Sequence, residues 1–90
     1  MSNKQSNIKK YKDELKTKQM EVYEKHKDIV ALVFLVGNKV ALQMQITNIL
    51  LQYNNKYKDE NAVYRAVDSL EEVDLIEKKN YNNLNLIVLR

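Results

Sequence analysis

The residues in this chain best suited to chemistry cluster at 78–85: Lys78, Lys79, Asn80, Tyr81, Asn82, Asn83 and Asn85. Lysine ammonium groups neutralise phosphate, and asparagine amides donate and accept at base edges. The segment is therefore suited to nucleic acid. Upstream, Asn61, Tyr64 and Arg65 add an amide that can read adenine, a phenol and a guanidinium. Catalysis is poorly served by comparison. His26 is the one imidazole, expected at the surface, and cysteine is absent, so neither a convincing metal site nor a thiol nucleophile can be assembled. Glu71, Glu72 and Asp74 crowd one helix exterior, whereas general acid–base pairs need a shared cleft. Gly37 stands alone, which excludes a glycine-rich phosphate loop. The expectation is a binding protein and not an enzyme, with no cofactor, metal or small-molecule ligand.

The charge distribution sharpens this. The net charge is only +3, yet residues 1–27 hold eight lysines against Asp13, Glu14, Glu21 and Glu24. Residues 59–77 reverse the balance, with seven carboxylates against Arg65 alone. Lys78, Lys79 and Arg90 then restore positive charge. Two basic ends thus enclose an acidic segment, and such asymmetry bears on partners more than on fold.

Ninety residues suffice for one small core and leave no room for a second, catalytic domain. A single glycine and no proline argue against an all-β sandwich. The longest apolar run, Ile29 to Val36, is eight residues, against about 20 for a membrane span. The first 28 residues are polar and charged, unlike a secretory signal. A cytoplasmic protein is expected. Lys, Asn, Ile and Tyr, all with A/T-rich codons, supply 36 of the 90 residues. That composition suits a low-GC bacterium or a mobile element.

The elements that position these residues follow from hydrophobic periodicity. From Ile8, a thin seam of Ile8, Tyr11, Leu15, Val22 and Ile29 predicts a helix that packs along an edge or pairs with a second subunit. Asp28 either starts a new helix or continues this one. Residues 29–36 are apolar on all sides and are expected at the centre of the core, ending at Gly37-Asn38 with Gly37 left-handed. Val40 to Leu42 suits a short strand. Leu42, Ile46, Ile49, Leu50 and Tyr53 make one face of the next helix, with Gln43, Gln45, Asn48 and Gln52 pointing away. Asp59 is a natural N-cap for a third helix whose core face is Val63, Ala66, Val67, Leu70 and Val73. Asn82-Asn83 suits a two-residue hairpin turn. Leu84, Leu86 and Val88 are expected on one face of the final strand, at period two. Tyr23, Tyr53 and Tyr57 are read as core or rim packing.

A hairpin directly after a third helix resembles the winged helix-turn-helix superfamily. The stretch Val63-Tyr64-Arg65-Ala66-Val67-Asp68-Ser69-Leu70-Glu71-Glu72-Val73-Asp74-Leu75-Ile76-Glu77-Lys78-Lys79 is similar to the recognition helix and wing entry of PadR-like repressors and replication terminator proteins. Val63, Tyr64, Arg65, Leu70, Leu75 and Ile76 match the pattern of those families, and Val67 matches in kind. Asp74 departs, standing where they usually have glycine. The resemblance covers residues 28–90. It implies a mainly α, α+β fold with a C-terminal β-hairpin wing, the winged-helix domain spanning 28–90; the basic helix over 1–27 before it is expected to serve dimerisation or to contact DNA as an arm.

It also implies double-stranded DNA as the partner. The seven carboxylates of residues 59–77 oppose deep insertion of the third helix between phosphates, so contact is expected to centre on the wing. Its residues Lys78, Lys79, Asn80, Tyr81, Asn82, Asn83 and Asn85 would be aided by Arg65, Asn61 and Tyr64. Winged-helix proteins of this size generally act as dimers on paired sites. Ile8, Tyr11, Leu15 and Val22 are the expected dimerisation seam, with cover for the domain's own core as their other use. A homodimer acting at repeat sites of a plasmid or other mobile element, in replication, partition or transfer, is the leading expectation. A small transcriptional repressor is its alternative. A protein-interaction module, with the acidic helix meeting a basic partner, is the alternative of another class.

Overall fold

The computed structural model describes the backbone of residues 2–90 and the side chains of residues 11–90. Three helices and three strands follow in the order α1 (Ser2–Gly37), β1 (Val40–Leu42), α2 (Gln43–Tyr53), α3 (Glu60–Glu72), β2 (Ile76–Tyr81) and β3 (Leu84–Leu89). The strands form one antiparallel sheet in the order β1-β3-β2, so the last strand lies between the other two. No helix among the described residues is long and apolar enough to cross a membrane.

Helix α1 is two helical segments that meet at a kink, with Asp28 at the start of the second, so of the two readings of Asp28 the structure bears out the start of a new segment. His26 has non-helical dihedrals of φ −128° and ψ 26°. Polar bonds to the α2–α3 connection surround the bend. Tyr57, buried in that connection, donates its hydroxyl proton to Asp28 Oδ1 at 3.1 Å. A phenol has one proton, so the 3.2 Å bond between Tyr57 Oη and His26 Nδ1 has the imidazole N–H as donor. Asn54 Nδ2 donates to the other Asp28 oxygen at 3.1 Å, and Lys56 reaches the Lys25 carbonyl. His26 is thus a half-buried structural residue, not the surface residue expected. Burial, then the Lys56 ammonium, lower its pKa, partly opposed by Asp28. Burial and the Asp28 carboxylate raise that of Tyr57.

The core gathers Ile29 and Val33 of α1, Ile46 and Leu50 of α2, Val63, Ala66, Val67 and Leu70 of α3, and Ile76 and Ile87 of the sheet. Each fully buried aliphatic side chain contributes about 1.5–3 kcal/mol relative to exposure. One expectation about this core is corrected. Residues 29–36 do not form its centre on all sides. Only one face of α1 meets the domain, which leaves Phe34 59% and Leu35 76% exposed. On β3, Leu84, Leu86 and Val88 share one face as expected, and the residue buried from the other face is Ile87. Register sets Ile87 beside Ala41 of β1, whereas Val88 and Leu86 pair with Val40 and Leu42 on the outer face. Tyr53 and Tyr23 are also exposed, so Tyr57 alone of the three tyrosines packs inside.

The turns use Asn and Asp in place of glycine. The left-handed residues are Asn38, Asp74, Asn82 and Asn83, with φ between 50° and 67°. Gly37 is not among them: it closes α1, and Asn38 takes the left-handed position, its N–H donating to the Phe34 carbonyl at 2.9 Å. Asp74 follows α3 in the same way. Its N–H donates to the Glu71 carbonyl and that of Leu75 to the Leu70 carbonyl, both at 3.0 Å, the paired bonds of a Schellman ending. Asp59 caps the other end of α3, accepting from the Ala62 N–H at 2.9 Å. Asn82 and Asn83, both at positive φ, make the type I′ turn between β2 and β3.

Candidate nucleic-acid interface

Alternation along the hairpin divides the seven residues expected to bind DNA. Lys78, Asn80 and Asn85 lie on the face turned toward the helices, and Lys79 and Tyr81 on the other. Lys78 is engaged by α3. Its ammonium donates to Asp68 Oδ1 and lies 3.8 Å from Glu71 Oε1, and its backbone N–H donates to Glu71 Oε2 at 2.9 Å. The hydrogen bond to Asp68, helped by both carboxylate charges and opposed by partial burial, raises its pKa. Asn80 and Asn85 face each other across the strands, with Asn80 Nδ2 donating to Asn85 Oδ1 at 2.9 Å. Lys79, Tyr81, Asn82 and Asn83 are exposed at the outer face and tip.

The three α3 residues separate as well. Asn61 and Arg65 are exposed, and Tyr64 is half-buried with its hydroxyl directed at Glu60 Oε2 at 3.4 Å. Neither Arg65 nor Lys79 forms an ion pair among the described residues, whereas Arg90 pairs with Glu77 at 3.5 Å. The free cations of this region are thus Arg65 and Lys79. Asp68, Glu72 and Asp74 keep the exterior of α3 acidic.

Helix and hairpin meet at a shallow groove of about 330 Å³. Gln43 and Asn48 of α2, Glu60 and Tyr64 of α3, and Asn83 and Asn85 of the hairpin line it. The start of α3, the start of α2 and the hairpin tip therefore share one side of the molecule. Gln43 and Asn48 were legible only as the outward face of α2. Which outward face meets the hairpin depends on the sheet closing β3 between β1 and β2, and no local pattern encodes that.

Of the expected dimerisation seam, Ile8 lies outside the described side chains. Tyr11 is exposed. Leu15 is half-buried beside Glu72 and Val73, and Val22 packs against the domain's own core. Gln19 on the same face donates to the Val73 carbonyl at 2.6 Å. This face of α1 covers its own domain, the other use expected of Leu15 and Val22. Compared with protein-family models, curated proteins and solved structures, the chain matches none.

Proposed function

We propose that this chain is a winged helix-turn-helix protein that binds double-stranded DNA as a homodimer. The observation that carries the reading is the shared side just described: the N-terminal ends of α2 and α3 and the hairpin tip border one groove, where the amides of Gln43, Asn48, Asn83 and Asn85 stand among Leu42, Met44, Leu84, Tyr64 and the Glu60 carboxylate. The element order and the β1-β3-β2 sheet support it. Phosphate contact falls to Lys79 and Arg65, the cations without carboxylate partners, with Asn82, Asn83 and Asn61 as amides near base edges. Lys78 serves to dock the hairpin on α3. Tyr81 offers an exposed ring and phenol beside the tip. The acidic exterior of α3 keeps most of that helix away from phosphate, so contact centres on the tip. Occupying a repeat site of a plasmid or other mobile element is the process we favour, and repression of a promoter uses the same contacts.

The test is fluorescence anisotropy of labelled duplex DNA at about 50 and about 200 mM salt, where a phosphate-dominated complex loses affinity steeply. Binding that weakens with salt, and weakens further with Lys79→Ala, is the expected result. Absence of binding at the lower salt overturns the reading. It would favour the protein-interaction alternative, in which exposed Asp68, Glu72 and Asp74 meet a basic partner.

A further inference from the structure

The outward face of α1 has a pattern of its own. Thr17, Met20, Glu24, Lys27, Ala31 and Phe34 follow at steps of 3-4-3-4-3, and every one is exposed. This is the spacing of a coiled-coil seam, and over these residues it runs about 26 Å along the helix. It lies opposite the seam of Leu15, Val22 and Ile29 that packs on the domain, and near its amino-terminal end Met20 and Glu24, with Tyr23, border a groove that Leu75 of the domain also lines. Tyr23 and Leu35 flank it, 41% and 76% exposed. Met20, Tyr23, Phe34 and Leu35 together leave about 500 Å² uncovered, taking about 200 Å² for each large side chain. Two such faces would cover about 1,000 Å², the lower bound of a specific interface.

We infer that this face pairs with the same face of a second copy, antiparallel, about a two-fold axis at the His26 bend. The order of residues identifies the occupant. With the axis between Lys25 and His26, Glu24 stands level with Lys27 of the second copy, and Lys27 with its Glu24. Met20 meets Ala31 of the second copy, and Phe34 meets Thr17, so each layer sets a large side chain against a small one. Within one chain Lys27 and Glu24 already pair at 3.5 Å. The dimer joins two such pairs into a square of alternating charge. The inference deepens the two-copy part of the proposed function. It is tested without DNA, so its failure and that of duplex binding are told apart.

Sedimentation equilibrium of the full chain is expected to give a dimer, and Phe34→Glu a monomer with unchanged circular dichroism. Glu24→Lys and Lys27→Glu, each alone, set like charges together at the axis and weaken self-association by about tenfold or more. Mixed in equal amounts, these two variants restore both cross-axis pairs and form a heterodimer, which native mass spectrometry resolves. Any effect confined to one chain cannot give that rescue. A monomeric parent chain, a dimeric Phe34→Glu, or variants that pair with themselves as well as with each other would overturn the inference. Anisotropy of Phe34→Glu on a single duplex site then reads DNA binding separately.

Discussion

Lys78 of β2 and Asp68 of α3 are joined by an ammonium–carboxylate hydrogen bond, with Glu71 completing the ammonium's surroundings. A cation that reads from sequence as a phosphate ligand is thereby occupied within the chain. Releasing it is expected to strengthen DNA binding. Asp68→Asn removes one carboxylate and loosens the hold on the ammonium, leaving Glu71 at 3.8 Å, so duplex affinity should rise and the salt dependence steepen by up to about one counterion. Anisotropy titrations across a salt series check this. Unchanged affinity would mean that the hairpin lies away from phosphate.

The left-handed backbone of Asp74, at φ 63°, predicts a gain of stability on substitution by glycine. A side chain there is strained and glycine is not, although glycine gives back part of the gain through the entropy of the unfolded chain. Asp74→Gly should add about 0.5–1 kcal/mol, and Asp74→Val should lose more than that. Urea denaturation measures both.

His26 predicts a loss of stability in mild acid. Its pKa in the folded chain lies below the ordinary 6.5 because burial and Lys56 disfavour the imidazolium. The unfolded chain therefore takes up the proton first. The stabilising contribution is complete above pH 6.5 and is lost as pH falls through the lower folded value. A His26→Gln variant, with nothing to titrate, should lack this slope between about pH 6.5 and 5. Thermal melts of both chains across that window test it. Parallel curves would count against His26 as the source.

The two faces of β3 predict opposite outcomes for two leucine-like side chains. Ile87 is fully buried and Leu84 is 46% exposed. Ile87→Ala should cost about 2–5 kcal/mol through lost burial and the cavity left behind, and Leu84→Ala less than about 1 kcal/mol. Equal losses in chemical denaturation would indicate that Leu84 is covered by another chain.

The comparison of Ile87 with Leu84 also marks where sequence reasoning stops. Helices α2 and α3 were legible because a helical face repeats several times, and chemistry announces the start of α3 at Asp59 and the hairpin turn at Asn82-Asn83. The final strand was ambiguous because 84–89 is apolar on both faces, apart from Asn85, and parity cannot choose between two apolar rows. The long run 29–36 misled for the same reason: uniform hydrophobicity hides which side meets the domain. The candidate site was half legible. Residue types picked out the hairpin, but the capture of Lys78 by Asp68 and Glu71 is a tertiary fact, as is the pairing of Asn80 with Asn85. Tyr57 bonding to His26 and Asp28 joins residues about 30 positions apart, beyond any local pattern.

The hydrogen bond from Gln19 to the Val73 carbonyl, with Val22 packed one turn further on, fixes how far the amino-terminal helix can be trimmed. Deletions that stop short of Leu15 keep Leu15, Gln19 and Val22, the side chains before the bend that meet the domain. A truncation at residue 28, where charge and hydropathy change and a boundary invites itself, would strip a wall from the hydrophobic interior. Fragments intended for crystallography or spectroscopy should therefore begin upstream of Leu15, whatever the lysine-rich segment before it turns out to do.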